Sequence, residues 1–365
     1  MRLIDGKQIA AHIAEQTKER AEKLKKQGIQ PKLAVLIVGD DKPSHMYVRT
    51  KGKAAERAGI EFSLTELPAD ATKEDIINTI NNIQSDKSIT GLITQLPLPH
   101  REWENDVVNS IRPDIDVDCL TDTNLGKLVA ETNTIVPPTP GAVMDILESI
   151  GVNPAGKHVV IVGTGTLVGK PLAIMMMNHM ATVVTCNIQT KNIKKLCKKA
   201  DILVSAVGKK HLITKNMVKK GAIVIDAGVD FDNGEMFGDV DVVRVSKRAS
   251  YVTPTPGGVG PLTVARLLEN TVILTEMQNK FIANMIPLHV PPLIKGRRLA
   301  SMFIYEQHRT HRRNTYFFKI IFLGTISDCC KHSCLLFISN FCPRNQYTRC
   351  CYFFCNTSYD TKKMA

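Results

Sequence analysis

Residues 158–177 constrain the fold more than any other stretch of the chain. HVVIVG (158–163) is a short apolar, β-branched run closed by glycine, the pattern of a buried strand. GTGTLVG (163–169) follows, and KPLAIMMM (170–177) then has the look of an apolar helix. A strand that turns through glycines directly into a helix belongs to a parallel sheet covered on both faces. The same alternation recurs along the chain. LAVLIVG (33–39), FSLTEL (62–67) and GLITQLPLP (91–99) read as strands, the last stopping near Gln95 because proline cannot donate to a sheet ladder. A helical pattern opens at Pro43–Ser44 and ends at Gly59, and a second covers 70–86 with Asp70 or Thr72 as cap. Beyond the proline-rich VPPTPGA (136–142), strands are expected at 181–186, 201–208 and 222–229, with helices at 191–199 and 213–219.

The predicted architecture is therefore α/β, with two α/β units and a cleft between them. The second unit is a Rossmann-like, doubly wound parallel sheet. The expected domains are 1–138, completed by a helix over 261–283 that returns to pack on it, then 139–260, then an atypical segment over 286–365. That segment differs from the rest in charge and chemistry. The 365 residues carry a net charge of +12, yet 286–365 alone hold 12 Lys/Arg against 3 Asp/Glu. The other 285 residues carry 35 and 32, close to balance and without the basic stripe of a nucleic-acid surface. Only Cys119, Cys186 and Cys197 lie in the main body, as a reducing cytosol would allow, while seven cysteines crowd the tail. The N-terminus lacks the apolar core of a signal peptide and no run is long enough for a membrane span, so a cytosolic location is expected.

Several local patterns carry chemistry. Gly163, Gly165 and Gly169 let the backbone approach a pyrophosphate at a helix N-terminus, a dinucleotide signature with one residue more than the usual spacing. The next strand ends TCNIQTKNIKK (185–195), with lysines and no carboxylate. An acidic residue there would bind the ribose hydroxyls of NAD, so the sequence leans to NADP, with NAD possible. Tyr47 and Lys51, at i and i+4, leave one helix face and suit proton transfer, since each can shift the other's pKa. Gln95 stands at the carboxyl end of a strand, where ligands bind in such sheets. DIDVDCLTD (114–122) spaces aspartates like a calcium loop but lacks its glycine and terminal glutamate, and no metal site is expected. Pro256–Gly257–Gly258 makes a turn whose backbone can approach a flat ligand.

Taken together and in this order, SHMYVRTKGKAAERAGI, GLITQLPLP, DVD, PPTPGAVMDIL and TPTPGGVGPLTVARLLENT resemble the bifunctional methylenetetrahydrofolate dehydrogenase/cyclohydrolase family over about residues 1–285. The resemblance implies two linked reactions on tetrahydrofolate derivatives: hydride transfer from the methylene bridge to NADP, then hydrolysis of the methenyl cation to formyltetrahydrofolate. It implies Lys51 as the central catalytic group, Tyr47 stacking on or positioning the folate, Gln95 tuning Lys51, and Asp118 gripping the pterin. Pro256, Gly257 and Gly258 would border the cleft near the nicotinamide and contribute to binding the substrate. Gly163, Thr164, Gly165, Thr166, Val168, Gly169 and Thr190 are the candidate dinucleotide contacts. A homodimer and a place in purine biosynthesis are implied in the same way.

The departures from the family pattern cluster. Thr164 stands where an arginine contacts the 2′-phosphate, Asn187–Ile188 where a His-Ser pair is expected, Cys119 where DVD continues with glycine, and Ile115 where a lysine is usual. Weak discrimination between NADP and NAD is the expectation. A short-chain dehydrogenase also uses Tyr-x-x-x-Lys, but there the glycine loop comes first, whereas Tyr47 precedes Gly163. A non-catalytic folate- or dinucleotide-binding protein on a degenerate scaffold is the other alternative, against which Lys51, Gln95 and Asp118 stand. In the tail, Cys329, Cys330, His332 and Cys334 do not reproduce paired zinc spacing, and YFFKIIFLG (316–324) is too short to cross a bilayer. The tail is expected to be an appended, poorly structured extension.

Overall fold

In the computed structural model, the described residues are 2–232 and 235–284, together with four strands between 302 and 355. Residues 2–278 form one compact unit and the strands beyond it belong to another. The first unit contains two parallel sheets.

The smaller sheet holds β2 (Lys32–Val38), β3 (Glu61–Leu67) and β4 (Gly91–Thr94), in the order β3-β2-β4. β2 is central and almost wholly buried, which is why its sequence is continuously apolar. Helix α1 (Gly6–Lys26) is capped by the Asp5 carboxylate, and α2 (Lys42–Arg57) by that of Asp41. Helix α3 (Lys73–Ser85) starts at Thr72 with a reciprocal capping box to Asp75, so Thr72 rather than Asp70 is the cap. Leu33, Val35 and Ile37 pack toward α1 and α2, whereas Ala34, Leu36 and Val38 pack toward α3 and α4 (Glu104–Asn109). Strand alternation thus separates two apolar layers.

Helices α5 (Asp122–Val129) and α6 (Pro138–Ser149) lead to the larger sheet. The prolines that read as a separator are in fact the first turn of α6. A proline at the start of a helix lacks only an N–H that would have no partner there. Next come β5 (His158–Val162), α7 (Gly169–Asn178), β6 (Thr182–Cys186), α8 (Ile193–Cys197), β7 (Ile202–Ser205) and β8 (Ile223–Asp226). The expected helix at 213–219 is a single 3-10 turn, Lys215–Met217. A hairpin of β9 (Asp230–Asp232) and β10 (Glu235–Phe237) precedes α9 (Val242–Val245), β11 (Tyr251–Val252) and α10 (Val259–Asn284).

The six strands lie in the order β1-β11-β8-β7-β5-β6, all parallel, with β1 being Arg2–Leu3. Arg2–Leu3 therefore joins the second sheet, and α1 packs on both, Ala10 and Ile13 in the core of the larger sheet and Ala21 and Leu24 in that of the smaller. The chain order reverses between β5 and β7, which is the ligand-binding switch point of a doubly wound sheet. Helix α10 ties both cores together: Val259, Leu262 and Ala265 pack on the larger sheet, and Leu267, Leu268, Val272 and Leu274 on the smaller.

The remaining strands form two antiparallel pairs, β12 (Met302–Arg309) with β13 (Tyr316–Phe322) and β14 (Cys334–Ile338) with β15 (Cys351–Cys355). The tail expected to lack regular structure thus contains strands where aromatic and aliphatic residues concentrate, as β-propensity favours. The rest of the expectation for 286–365, including the Cys329, Cys330 and His332 cluster, lies outside the described residues. Among the described residues, no helix is long and apolar enough to cross a membrane.

Candidate active site

The site begins at the carboxyl ends of β2 and β4. Gln95 follows β4 directly, its backbone N–H donating to Leu36 O at 2.7 Å. Its side-chain amide donates to Leu96 O at 2.7 Å, which leaves Oε1 turned to accept from Lys51 Nζ at 3.0 Å. Residues 115–117 run alongside β4: Leu92 N–H donates to Ile115 O, and Leu92 pairs in parallel with Asp116. Asp118, two residues on, is thereby carried to the Lys51–Gln95 pair. Asn270 of α10 secures this run by donating to Val117 O and Val136 O, both at 2.8 Å. Asp116 is a structural group, fully buried and accepting from Thr121 N–H and the Asn124 amide. Asp114 is exposed and paired with Arg112.

Electrostatics distinguish the groups. Burial pulls the Lys51 ammonium below its ordinary value, while the Asp118 carboxylate pulls it back up. Asp118 is pushed up to about 6 by burial, opposed by Lys51 and reinforced by Asp116. An ammonium with a lowered pKa next to a carboxylate poised near neutrality is suited to moving a proton. Tyr47, one turn before Lys51 and half-buried, is raised by burial. The mutual pKa shift expected of the Tyr47/Lys51 pair is not what acts on the phenol: burial is the cause of its shift, and Tyr47 stays a neutral ring.

Cys119 sits directly behind Asp118 with φ of 56°, in the left-handed region, and is fully buried. Glycine takes that conformation without a steric cost, which gives a physical reason for the family's preference at this position. Burial pushes the Cys119 thiol up to about 12, so it is inert.

The second group of residues surrounds the switch point of the larger sheet. Gly163 follows β5 with φ of 106°, and a Cβ there would collide with Ala206 O. A Cβ on Gly169 would collide with Gly163 O, whereas one on Gly165 would meet nothing within 4 Å. Gly163 and Gly169 thus close the loop, and Gly165 faces open space at the N-terminus of α7. A dinucleotide's pyrophosphate fits such a place: the positive end of a helix, with no side chain on Gly165 in the way. Thr164 is half-buried and Thr166 exposed, while Val168 is the N-cap of α7. Thr190 lies in the turn after β6, where its hydroxyl accepts from Asn187 N–H at 2.8 Å. Ile188 in that turn is 97% exposed.

The third group is the turn before α10. Thr255–Pro256 is a cis peptide, as is Leu96–Pro97 beside Gln95, and Gly257 has φ of 103°. Gly6 N–H donates to Gly257 O at 3.1 Å, and a Cβ on Gly6 would strike Gly258 O. The Lys7 side chain reaches Gly257, with its Cε 3.6 Å from where a Cβ would stand. Sequence reasoning gave Asp5–Gly6–Lys7 no role; the only local signal was a glycine at the start of a helix. Among the described residues, no hydrogen bond or ion pair joins the Lys51 group directly to the glycine loop.

Comparison with known proteins decides the family. The tetrahydrofolate dehydrogenase/cyclohydrolase catalytic domain matches residues 4–118, and that family's NAD(P)-binding domain matches 137–279. The chain belongs to the tetrahydrofolate dehydrogenase/cyclohydrolase family. It is 43% identical over 277 residues to the bifunctional protein FolD of Campylobacter concisus, covering 76% of this chain and 98% of that one. It is 42% identical over 271 residues to FolD of Bacillus subtilis, covering 74% and 96%. The FolD crystal structure from Campylobacter jejuni superposes with a TM-score of 0.74 at 40% identity, over 76% of this chain and 99% of that one. The Trypanosoma brucei enzyme, solved with NADP and an inhibitor, gives 0.74 at 35% identity, over 76% and 98%.

Proposed function

We propose that the Lys51 site performs two successive reactions on one folate. The chain oxidises 5,10-methylenetetrahydrofolate to 5,10-methenyltetrahydrofolate with a nicotinamide dinucleotide, and hydrolyses that product to 10-formyltetrahydrofolate. The observation that carries this reading is the 3.0 Å bond from Lys51 Nζ to Gln95 Oε1, with Asp118 close enough to raise the pKa of the same ammonium.

Gln95 fixes the Lys51 side chain and, as a neutral acceptor, adds no charge of its own to the ammonium. Lys51 then manages the proton of the water that opens the methenyl cation. Asp118 forms no hydrogen bond among the described residues, so both carboxylate oxygens are available to the donor edge of a pterin. Tyr47 offers a neutral ring for stacking, and the Pro256–Gly258 turn a flat backbone wall. Gly163, Thr164, Gly165, Thr166, Val168, Gly169 and Thr190 would hold the dinucleotide, which supplies the hydride acceptor when bound. NADP is the favoured form, since no carboxylate follows β6, with NAD also accepted.

In this reading residues 1–138 with 261–283 bind folate and 139–260 bind the dinucleotide. The protein is a cytoplasmic homodimer, with no nucleic-acid or membrane partner. The rival readings, a short-chain oxidoreductase and a non-catalytic scaffold, fit neither the family nor the assembled Lys51 site. Product analysis tests the proposal. With methylenetetrahydrofolate and NADP, 10-formyltetrahydrofolate should form in equal amount to reduced dinucleotide. Reduced dinucleotide with only methenyltetrahydrofolate accumulating would remove the second reaction.

A further inference from the structure

Two carboxylates at the carboxyl edge of the larger sheet have no part in the chemistry above. Asp226 ends β8, and Asp239 precedes α9; both are essentially inaccessible to solvent. Neither forms an ion pair among the described residues. Buried charges without a cation are costly and persist where hydrogen bonds compensate them fully. Here each accepts three. Asp239 Oδ2 accepts from the Ser205 hydroxyl at 2.6 Å and Val207 N–H at 2.8 Å, and Oδ1 from Lys209 N–H at 2.7 Å. Asp226 Oδ1 accepts from Gly228 N–H and Asp239 N–H, both at 3.1 Å, and Oδ2 from Val240 N–H at 2.9 Å.

The donors show what the pair holds. Val207 and Lys209 belong to the loop after β7, on the far side of the switch point from the glycine loop. That loop is in contact with Gly163, whose missing Cβ makes room for Ala206 O. Asp226 in turn fixes the backbone of Asp239, and its own N–H donates to the Thr253 hydroxyl at 2.7 Å, at the head of the Thr253–Gly258 turn. Two glycines keep the space open: a Cβ on Gly228 would strike the Asp239 carboxylate, and one on Gly238 would strike Asp226 and Thr255. At the opposite, amino edge of the same sheet, Asp201 is partly exposed, accepts from His158 N–H, and is paired with Lys219. That is how a carboxylate serving the sheet alone is arranged.

We propose that Asp239, itself held by Asp226, is a positioning residue for the dinucleotide: it sets the 206–209 loop against the glycine loop and ties it to the 253–258 turn. This rests on the dinucleotide reading of the glycine loop. An amide at position 239 turns its NH2 toward a loop N–H, so the loop loses its anchor on one side.

The test measures NADP binding by calorimetry, and dehydrogenase and cyclohydrolase rates separately, because hydrolysis of methenyltetrahydrofolate needs no dinucleotide. Asp239→Asn should raise the NADP Kd about tenfold and lower the ratio of dehydrogenase to cyclohydrolase kcat/KM by a similar factor. Asp201→Asn should move neither. Ser205→Ala, which removes one anchor of Asp239 and spares both loop amides, should give a smaller shift of about threefold, and it covers an Asp239→Asn chain that does not fold. Wild-type binding of NADP with unchanged Kd and ratio in Asp239→Asn, or in Ser205→Ala if that variant alone folds, would overturn the positioning role. A wild-type chain that binds neither NADP nor NAD would overturn the dinucleotide reading itself, and this proposal with it.

Discussion

The Lys51 site and the dinucleotide loop belong to one compact unit but depart from the family pattern in opposite ways. Around Lys51 the departures lie behind the reacting groups. Cys119 and Ile115 are buried against protein, and Lys51, Gln95 and Asp118 are all in place. Around the glycine loop the departures are on the surface a ligand would meet. Thr164 stands in the loop, and Asn187 and Ile188 are exposed in the turn after β6. Lys51 is hydrogen-bonded to Gln95 and feels the charge of Asp118, so a change in any one alters the ammonium at the centre. Thr164 and Ile188 make no side-chain hydrogen bond among the described residues, and Asn187 bonds only within its own turn, so replacing them disturbs little beyond that turn.

The largest expected effect comes from removing the centre of the first site. Lys51→Ala should lower cyclohydrolase kcat by about 10²–10⁴-fold, the contribution of a positioned proton-transfer group, with NADP binding unchanged. Hydrolysis of methenyltetrahydrofolate near the wild-type rate would break the comparison at its stronger half. Asp118→Ala should cost about 1.5–3 kcal/mol of folate binding, seen as a KM raised roughly tenfold or more. In the wild type the folate KM should itself rise as pH falls through about 6, where the raised Asp118 carboxyl takes up its proton and loses acceptor strength. Equal loss of dinucleotide affinity in Asp118→Ala would make the residue structural.

Stability provides a smaller test within the folate half. The Thr94 hydroxyl is buried without a hydrogen-bond partner in the layer packed on α3. Thr94→Val keeps the shape and removes the orphan group, so urea unfolding should show a gain of about 1 kcal/mol. A loss would show that the hydroxyl is satisfied in solution. The smallest effect should follow deletion of residues 286–365. The Campylobacter concisus relative is matched over 98% of its own length by 277 residues of this chain. Both activities should survive, and their loss on deletion would give the tail a role.

What the sequence disclosed follows the range of the forces involved. Strands β2, β4, β5, β7 and β8 announced themselves because buried parallel strands are continuous apolar runs, and the glycine loop because its turn is local. The pairing of Lys51 with Gln95 spans 44 positions and became legible only through family resemblance. Strand β1 has two residues and takes its identity from β11, on which it pairs. Asp226 and Asp239 carried no local signal at all, since their partners Ser205, Val207, Lys209 and Thr253 lie in two segments far from either in sequence. Tyr47 illustrates the limit of spacing: i and i+4 placed it near Lys51 correctly, but the depth of burial, which decides its pKa, is a property of the whole fold.

The central claim, an assembled folate site beside a relaxed dinucleotide reader, is tested most directly by dehydrogenase kcat/KM with NADP and NAD in parallel, for wild type and Thr164→Arg. Turnover of methylenetetrahydrofolate is expected with both dinucleotides. The expected wild-type preference is below roughly a hundredfold, about 2.7 kcal/mol, shifted toward NADP by the arginine. A wild-type preference above that limit would show that other residues, Lys191 or Lys194 among them, read the 2′-phosphate. Absence of turnover with either would contradict the assembled site.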